Sequence, residues 1–245
     1  MALTALLAIA IGVVLVTLGA GGSIVTVPVL VYAAGLDPTE AVATSLVVVG
    51  AVAVVGVLVR RRSVALRTGL VVGAAGMLGT VPGVWLNHRV PGFVVLLGFA
   101  ATLLVAAFMM ARESGPGCPP RASRWPTLAA GLGVGVATGF FGVGGGFLVV
   151  PVLSLLLGLG MREAVATSLL VVVLNSGAAL LGHLAYGSID WVLGGAVTLA
   201  ALAGALVGLP LASRVSPLAL RRGFAVVCVM IAIGMATESL WTLVA

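Results

Sequence analysis

The chain has 245 residues, 62% of them hydrophobic and only 7% charged, with 12 Lys+Arg against 6 Asp+Glu and a formal net charge of +6. At a mean hydropathy of +1.33 it has too little polar surface to be a soluble domain, and its apolar runs recur along the whole length, as in a polytopic helical membrane protein. Every basic residue is Arg and nearly all sit in short gaps between those runs; that is the pattern of loops facing anionic lipid and not of a nucleic-acid surface.

The opening segment covers about residues 1–34. It begins "MALTALLAIA" without a basic stretch, and its sequence returns later in the chain, so it reads as part of the fold and not as a signal peptide. Within it "GAGGSIVTVPVL" at Gly19–Leu30 sets three glycines, a serine and a proline in an otherwise apolar run. Three clear spans follow, at roughly 39–59, 66–86 and 92–111, with loops at Asp37-Pro38, Arg60–Arg62 and Asn87–Pro91. "ARESGPGCPPRASRWP" at Ala111–Pro126 is a linker rich in Pro, Gly, Ser and Arg. A second opening segment at about 126–157 carries "GVGGGFLVVPVL", and spans at roughly 162–184, 190–211 and 217–242 complete the chain. Cys118 and Cys228 have no Cys or His at metal-ligand spacing and read as small apolar fillers.

The two halves are a duplication. With Gly19 laid on Gly142 and no gaps, Gly21/Gly144, Gly22/Gly145, Pro28/Pro151, Gly35/Gly158 and Glu40/Glu163 coincide, and "EAVATSL" at Glu40–Leu46 is identical to Glu163–Leu169. A two-residue insertion carries the match on through Ser63/Ser188, Gly69/Gly194, Gly79/Gly204, Gly83/Gly208 and Arg89/Arg214. The organisation read from this is a first membrane repeat at 1–111, a cytoplasmic linker at 112–125 and a second membrane repeat at 126–245.

After each glycine tract only about eleven residues remain before the next loop, roughly 16 Å of helix against a hydrocarbon core of about 30 Å. Each opening segment is therefore either one long broken crossing or a re-entrant hairpin. If both cross, eight crossings in parallel repeats leave the arginines on both sides. If both are hairpins, six crossings in inverted repeats put Arg60, Arg61, Arg62, Arg67, Arg112, Arg121, Arg124, Arg162, Arg214, Arg221 and Arg222 together and leave only Arg89 opposite. The positive-inside rule selects the second arrangement, an all-α membrane protein of two inverted-topology repeats. Each repeat is then a Gly-broken hairpin plus three transmembrane helices.

A glycine break at membrane depth frees backbone N–H groups and persists only in protein or beside a wet cavity, where the new half-helix offers a positive dipole end suited to an anion. Matching breaks in two halves point to a transporter's central site. The candidate substrate-binding residues are Gly21, Gly22, Ser23, Gly144, Gly145 and Gly146, with Thr44, Ser45, Thr167 and Ser168 one turn into the following helices and Asn175 deep in a span. Small-residue packing is the competing reading of the glycines, and back-bonding to the preceding turn that of the hydroxyls. Glu40 and Glu163 have two readings, proton coupling and, since they stand three residues after Asp37 and Gly160, helix capping; His183, with Tyr186 near a helix end, reads as a proton relay or as an interfacial residue. The spans hold no Asp, Glu, Lys or Arg away from their edges, and no HExxH, GxSxG or Walker loop, so neither a metal, a cofactor nor an enzymatic activity is expected.

The paired "GxGG…VPVL" and "EAVATSL" motifs, over essentially the entire chain, resemble the TauE/SafE family of sulfite and organosulfonate exporters. The matching positions are Gly19, Gly21, Gly22, Pro28, Glu40, Thr44 and Ser45, and Gly142, Gly144, Gly145, Pro151, Glu163, Thr167 and Ser168. The resemblance implies a bacterial inner-membrane permease that exports a sulfur-containing oxyanion or sulfonate using an ion gradient. The expectation is a secondary transporter of a small anion, working by alternating access around a midplane site, with protons or another coupling ion and a homo-oligomeric state left open. Uptake, another small anion, or a non-transporting assembly subunit are the alternatives.

Overall fold

Among the described residues ten α-helices form where the apolar runs were read. The computed structural model describes residues 2–19, 23–32, 34–36, 38–87, 89–90, 92–111, 124–141, 146–184 and 191–244. The first half comprises α1 (Ala2–Leu18), α2 (Ser23–Tyr32), α3 (Pro38–Val59), α4 (Leu66–Asn87) and α5 (Gly92–Ala111). The second comprises α6 (Arg124–Phe141), α7 (Gly146–Pro151), α8 (Met161–Leu184), α9 (Trp191–Arg214) and α10 (Pro217–Val244). No strand occurs among the described residues. Pro38 and Pro217 open α3 and α10, the first helical position, where a missing N–H leaves no bond unmade.

The described helices stop short of each glycine tract, α1 at Leu18 and α6 at Phe141. Gly19, just past the end of α1, holds φ +77°, a left-handed conformation that stops a helix. Farther on, Gly35 and Gly158 occupy the same repeat position with φ +72° and +70°. Each is bridged by the same wide bond: Leu36 N–H donates to Leu30 O at 3.3 Å and Leu159 N–H to Leu153 O at 3.0 Å. The halves differ in between. In the second, a π-helical turn at Val152–Leu156 follows α7, closed by Leu157 N–H to Val152 O at 3.1 Å. Pro151 lacks a donor there, but Pro28 at the matching position lies inside the regular helix α2, so proline alone does not widen the ladder.

The helices pack across the two halves. α1 lies on α9 and, at the equivalent place, α6 on α4; α3 meets α8 and α5 meets α10. Small residues permit backbone-to-backbone approach in both swapped pairs. A Cβ on Gly204 would overlap Ile9 O and one on Gly208 would come 3.0 Å from Val13 Cα; Gly131 faces Val72 and Gly135 faces Gly76 in the same manner. Residue numbers rise together in each swapped pair, so α1 runs parallel to α9 and α4 parallel to α6. On α3 and α8 they run oppositely: Gly56 lies against Leu169 and Gly50 against Ser176. The two central helices are therefore antiparallel.

Chain direction follows. Gly19 reaches Val165 and Ser168 near the start of α8, which is the level at which α3 ends. Thr44, near the start of α3, meets Gly194 at the start of α9. So α1 ends at the end of the bundle opposite to the one where α3 begins.

Outward faces are as apolar as inward ones. On α9, Val197, Ala201, Ala205 and Leu209 are buried while Val192, Leu199, Leu206 and Val207 are exposed, and α4 exposes Leu70, Leu78, Val81 and Trp85. Among the described residues, Met161–Leu180 and Trp191–Ala212 are by length and composition each able to cross a bilayer. One buried cluster joins α1, α2, α3 and α9 through Leu15, Val16, Leu30, Val48, Val52 and Ala201; its counterpart joins α6, the π-helical turn, α8 and α4 through Val134, Leu153, Val171 and Val72.

Candidate functional site

The conserved-in-repeat hydroxyls sit on the two central helices. Thr167 is fully buried on α8, and its Oγ1 accepts the Ala65 N–H at 3.0 Å from the loop that ends in α4. Gly69 on α4 lets the helices close around it, since a Cβ there would stand 3.1 Å from Thr167 Cγ2. Beside it Ser168 donates to Val165 O at 2.8 Å, within its own helix. A Cβ on Gly19 would stand 2.6 Å from Ser168 Oγ. The end of α1 thus abuts Ser168 of the other half, and Gly19 is required both by its positive φ and by that contact.

Thr44 repeats half of this arrangement. It is fully buried on α3 and faces Gly194, where a Cβ would stand 3.2 Å from Thr44 Cγ2, as Gly69 faces Thr167. Its hydroxyl differs: Thr44 Oγ1 is buried with no hydrogen-bond partner. Ser45 beside it is buried as well. An unsatisfied buried hydroxyl costs about 1–3 kcal/mol, so a fold retains one only where something else is to occupy it or where its loss is offset.

Because α3 and α8 are antiparallel, these two hydroxyl pairs do not converge. Thr44 lies about 18 Å along α3 from Gly56, the level of Leu169, at 1.5 Å per residue. The pairs Thr44–Ser45 and Thr167–Ser168 stand at opposite ends of the central crossing. Midway between them Gly50 meets Ser176 at 3.5 Å from a Cβ position, and Asn175 lies beside Gly76 on α4, its Nδ2 3.7 Å from a Cβ there. Asn175 Oδ1 is buried and unpartnered. Its repeat mate is Val52, fully buried in the apolar core, so the centre is polar on one half alone.

Ser23 and Gly146 are the first residues of α2 and α7 and mark where the chain resumes helix after each tract; Gly146 is buried. Gly21, Gly22, Gly144 and Gly145 lie outside the described residues, as does the linker at 112–123. Thr26 on α2 was not singled out from the sequence, yet it is fully buried and its Oγ1 has no partner. Its repeat mate is Val149, so duplication gave no signal; a lone hydroxyl a few residues beyond a helix break would have.

Glu40 and Glu163 fall in the first turns of α3 and α8, and Gly160 O accepts the Ala164 N–H at 2.8 Å, as a residue at the helix cap does. Asp37, the expected cap of α3, and the side chain of His183 lie outside the described residues. Among the described residues no group of His, Cys, Asp or Glu could hold a metal ion. Cys228 is a buried free thiol on α10.

Positive charge gathers at one end. Burial, and then the nearby Arg162 charge, lower the pKa of Arg60 at the end of α3. Arg162 Nη2 in turn donates to Val215 O at 3.2 Å, so the end of α3, the start of α8 and the turn between α9 and α10 adjoin. Arg89, after α4, instead stacks on Trp85 with its guanidinium carbon 3.8 Å from the ring centroid. Between α5 and α10 a groove of about 540 Å³ is lined by Leu104, Phe108, Val226, Val229 and Met230 among others. With no polar side chain in its lining, it suits an acyl chain and not an anion.

Comparison with known proteins fits this architecture. The sequence profile of the family described as "Sulfite exporter TauE/SafE" matches residues 4–235. A "Probable membrane transporter protein" of Xylella fastidiosa (strain 9a5c) is 30% identical over 96% of this chain and 94% of its own length. The "Probable membrane transporter protein YdhB" of Bacillus subtilis (strain 168) is 24% identical over 81% of this chain and 84% of its own. No solved structure matches the chain.

Proposed function

Because this chain belongs to the sulfite exporter TauE/SafE family, and is with it a membrane transporter, we propose that it exports a small sulfur-containing anion, sulfite or an organosulfonate, across the plasma (inner) membrane. It works as a secondary transporter by alternating access. The observation that carries this reading is Thr44 Oγ1, a fully buried hydroxyl without a partner on one of the two central helices. A hydroxyl so placed donates to an oxyanion at no cost of a buried charge.

The binding residues proposed are Gly21, Gly22, Ser23, Thr44, Ser45, Gly144, Gly145, Gly146, Thr167 and Ser168, of which the pairs Thr167–Ser168 and Thr44–Ser45 stand at opposite ends of the central crossing. Asn175 offers its amide at the midplane between them. The contact of Gly19 with Ser168 supports the inclusion of Ser168, and the antiparallel crossing of α3 and α8 supports inverted repeats with re-entrant opening segments. The arginines gathered around Arg60 and Arg162 then face the cytoplasm.

The test is flux of labelled sulfite, thiosulfate and sulfoacetate in proteoliposomes. Movement of one of them under an imposed gradient is expected, and abolition by Gly22→Leu or Gly145→Leu with membrane insertion intact. If no anion moves under any gradient, the transporter reading falls; unchanged flux in both variants removes the glycine tracts from the site.

A further inference from the structure

α5 and α10 are the closing helices of the two halves. Gly98–Ala100 and Gly223–Ala225 are identical and fall at the same repeat position, with Phe99 and Phe224 both buried. Immediately before that match the halves part: α10 carries Arg221 and Arg222 where α5 carries Leu96 and Leu97. Arg222 is exposed and Arg221 half-buried, and both lie in the second turn of α10, within the helix and not in the turn that precedes it. From Arg222 a stripe of exposed residues runs along one side of α10, one turn at a time, through Val226, Met230 and Ile233.

Val226 and Met230 also line the groove of about 540 Å³ between α5 and α10. Its depth comes from two small buried residues, Ala107 and Ala225, and Leu104 and Phe108 line it from α5. Arg162 Nη2 donates to Val215 O two residues before α10 begins, so the groove starts close to the end of the bundle where positive charge gathers. An apolar channel in a bilayer does not by itself choose one lipid over another, because every acyl chain offers it the same surface. The headgroup makes the choice. A guanidinium one turn from the channel matches a phosphate in charge and in hydrogen-bond geometry, and its long stem reaches along the helix to the interface. A zwitterionic headgroup brings its own ammonium, which the arginine pair repels.

We propose that this groove and the arginine pair form a site for one anionic phospholipid. Its phosphate is held by Arg222 with Arg221 beside it, and an acyl chain lies in the groove against Val226 and Met230. The site does not depend on which solute the protein carries.

Native mass spectrometry of the full chain reads both the lipid retained and the number of chains. The protein is titrated in detergent with dioleoylphosphatidylglycerol, dioleoylphosphatidylcholine or inorganic phosphate. The expected result is one phosphatidylglycerol retained per chain, at concentrations where phosphatidylcholine and phosphate are not. Arg221→Gln together with Arg222→Gln should weaken retention about 30-fold. Val226→Trp, which fills the groove from its exposed wall, should weaken it at least 10-fold with both arginines in place. Arg61→Gln together with Arg62→Gln, in an exposed turn at the same end, should leave it unchanged. Melting temperatures without lipid check that each variant is folded, and the three probes on the unaltered chain decide the matter if one is not. Equal retention of the two lipids, or phosphate binding as tightly as lipid, overturns the proposal. So does an equal loss in the Arg61 and Arg62 variant, or unchanged retention in Val226→Trp. A dimer that Val226→Trp dissociates would give the groove to a second copy of the chain and overturn it as well.

Discussion

Thr167 reaches from α8 to the other half of the molecule and accepts the Ala65 N–H at 3.0 Å; Thr44, its repeat mate, makes no such bond. The same residue in the same motif is thus a structural tie at one end of the central crossing and an unused hydroxyl at the other.

That difference predicts opposite outcomes for one substitution. Thr167→Val leaves the Ala65 N–H without its acceptor, and the expected loss is about 1–3 kcal/mol of stability. Thr44→Val removes an unsatisfied hydroxyl, so stability stays level or rises. If Thr44 binds the anion, a lost hydrogen bond to a charged group of about 1.5–3 kcal/mol lowers flux at low anion concentration by about 10- to 100-fold. Thermal unfolding in detergent and flux in proteoliposomes check both. A destabilised Thr44→Val with normal flux would reverse the assignment.

Glycines separate into two kinds by what surrounds them. A Cβ on Gly12 or Gly204 would strike the backbone of the partner helix, at Ala201 O and Ile9 O. Gly12→Ala and Gly204→Ala should each force α1 and α9 apart and cost about 1–3 kcal/mol. Gly133 and Gly195 meet nothing within 4 Å, so alanine there should be tolerated, with a gain of up to about 1 kcal/mol from helix propensity. Melting temperatures of the four variants distinguish the groups; equal effects would contradict the packing described.

Much of this was legible in the residues. The six spans were bounded to within about three residues, because Asp-Pro, Ser-Pro and arginine runs punctuate them chemically. The duplication announced itself in "EAVATSL", and the glycine tracts in their contrast with the apolar runs. The exchange of partners between halves was not legible: α1 and α9 are both apolar all round, and composition does not say which apolar surface meets which. Nor was the separation of the two Thr–Ser pairs, which depends on α3 and α8 running in opposite directions. Thr26 stayed hidden because its mate is Val149, and a search by repeated residues passes over what only one half has.

Membrane sidedness has a direct check. Single cysteines placed in 60–67 and 212–217 should react with an impermeant maleimide from the same side, since Arg162 adjoins both Arg60 and Val215. A cysteine replacing Arg89 should react from the other. Labelling of the first two loops from opposite sides would be incompatible with inverted halves.

Neutralising the arginine end tests its role in orientation. Arg60, Arg61 and Arg62 changed together to Gln should yield molecules inserted both ways, visible as labelling of the 60–67 loop from both sides. Uniform labelling from the original side would assign orientation to the remaining arginines.

The exchange of helices between halves bears on how the protein comes into being. α1 is made long before the surface it packs on, α9, which is synthesised only after the linker and most of the second half. Until then α1 faces lipid or a chaperone with its glycines uncovered, and the first half has no finished core of its own. Assembly of this pair is a late, long-range event.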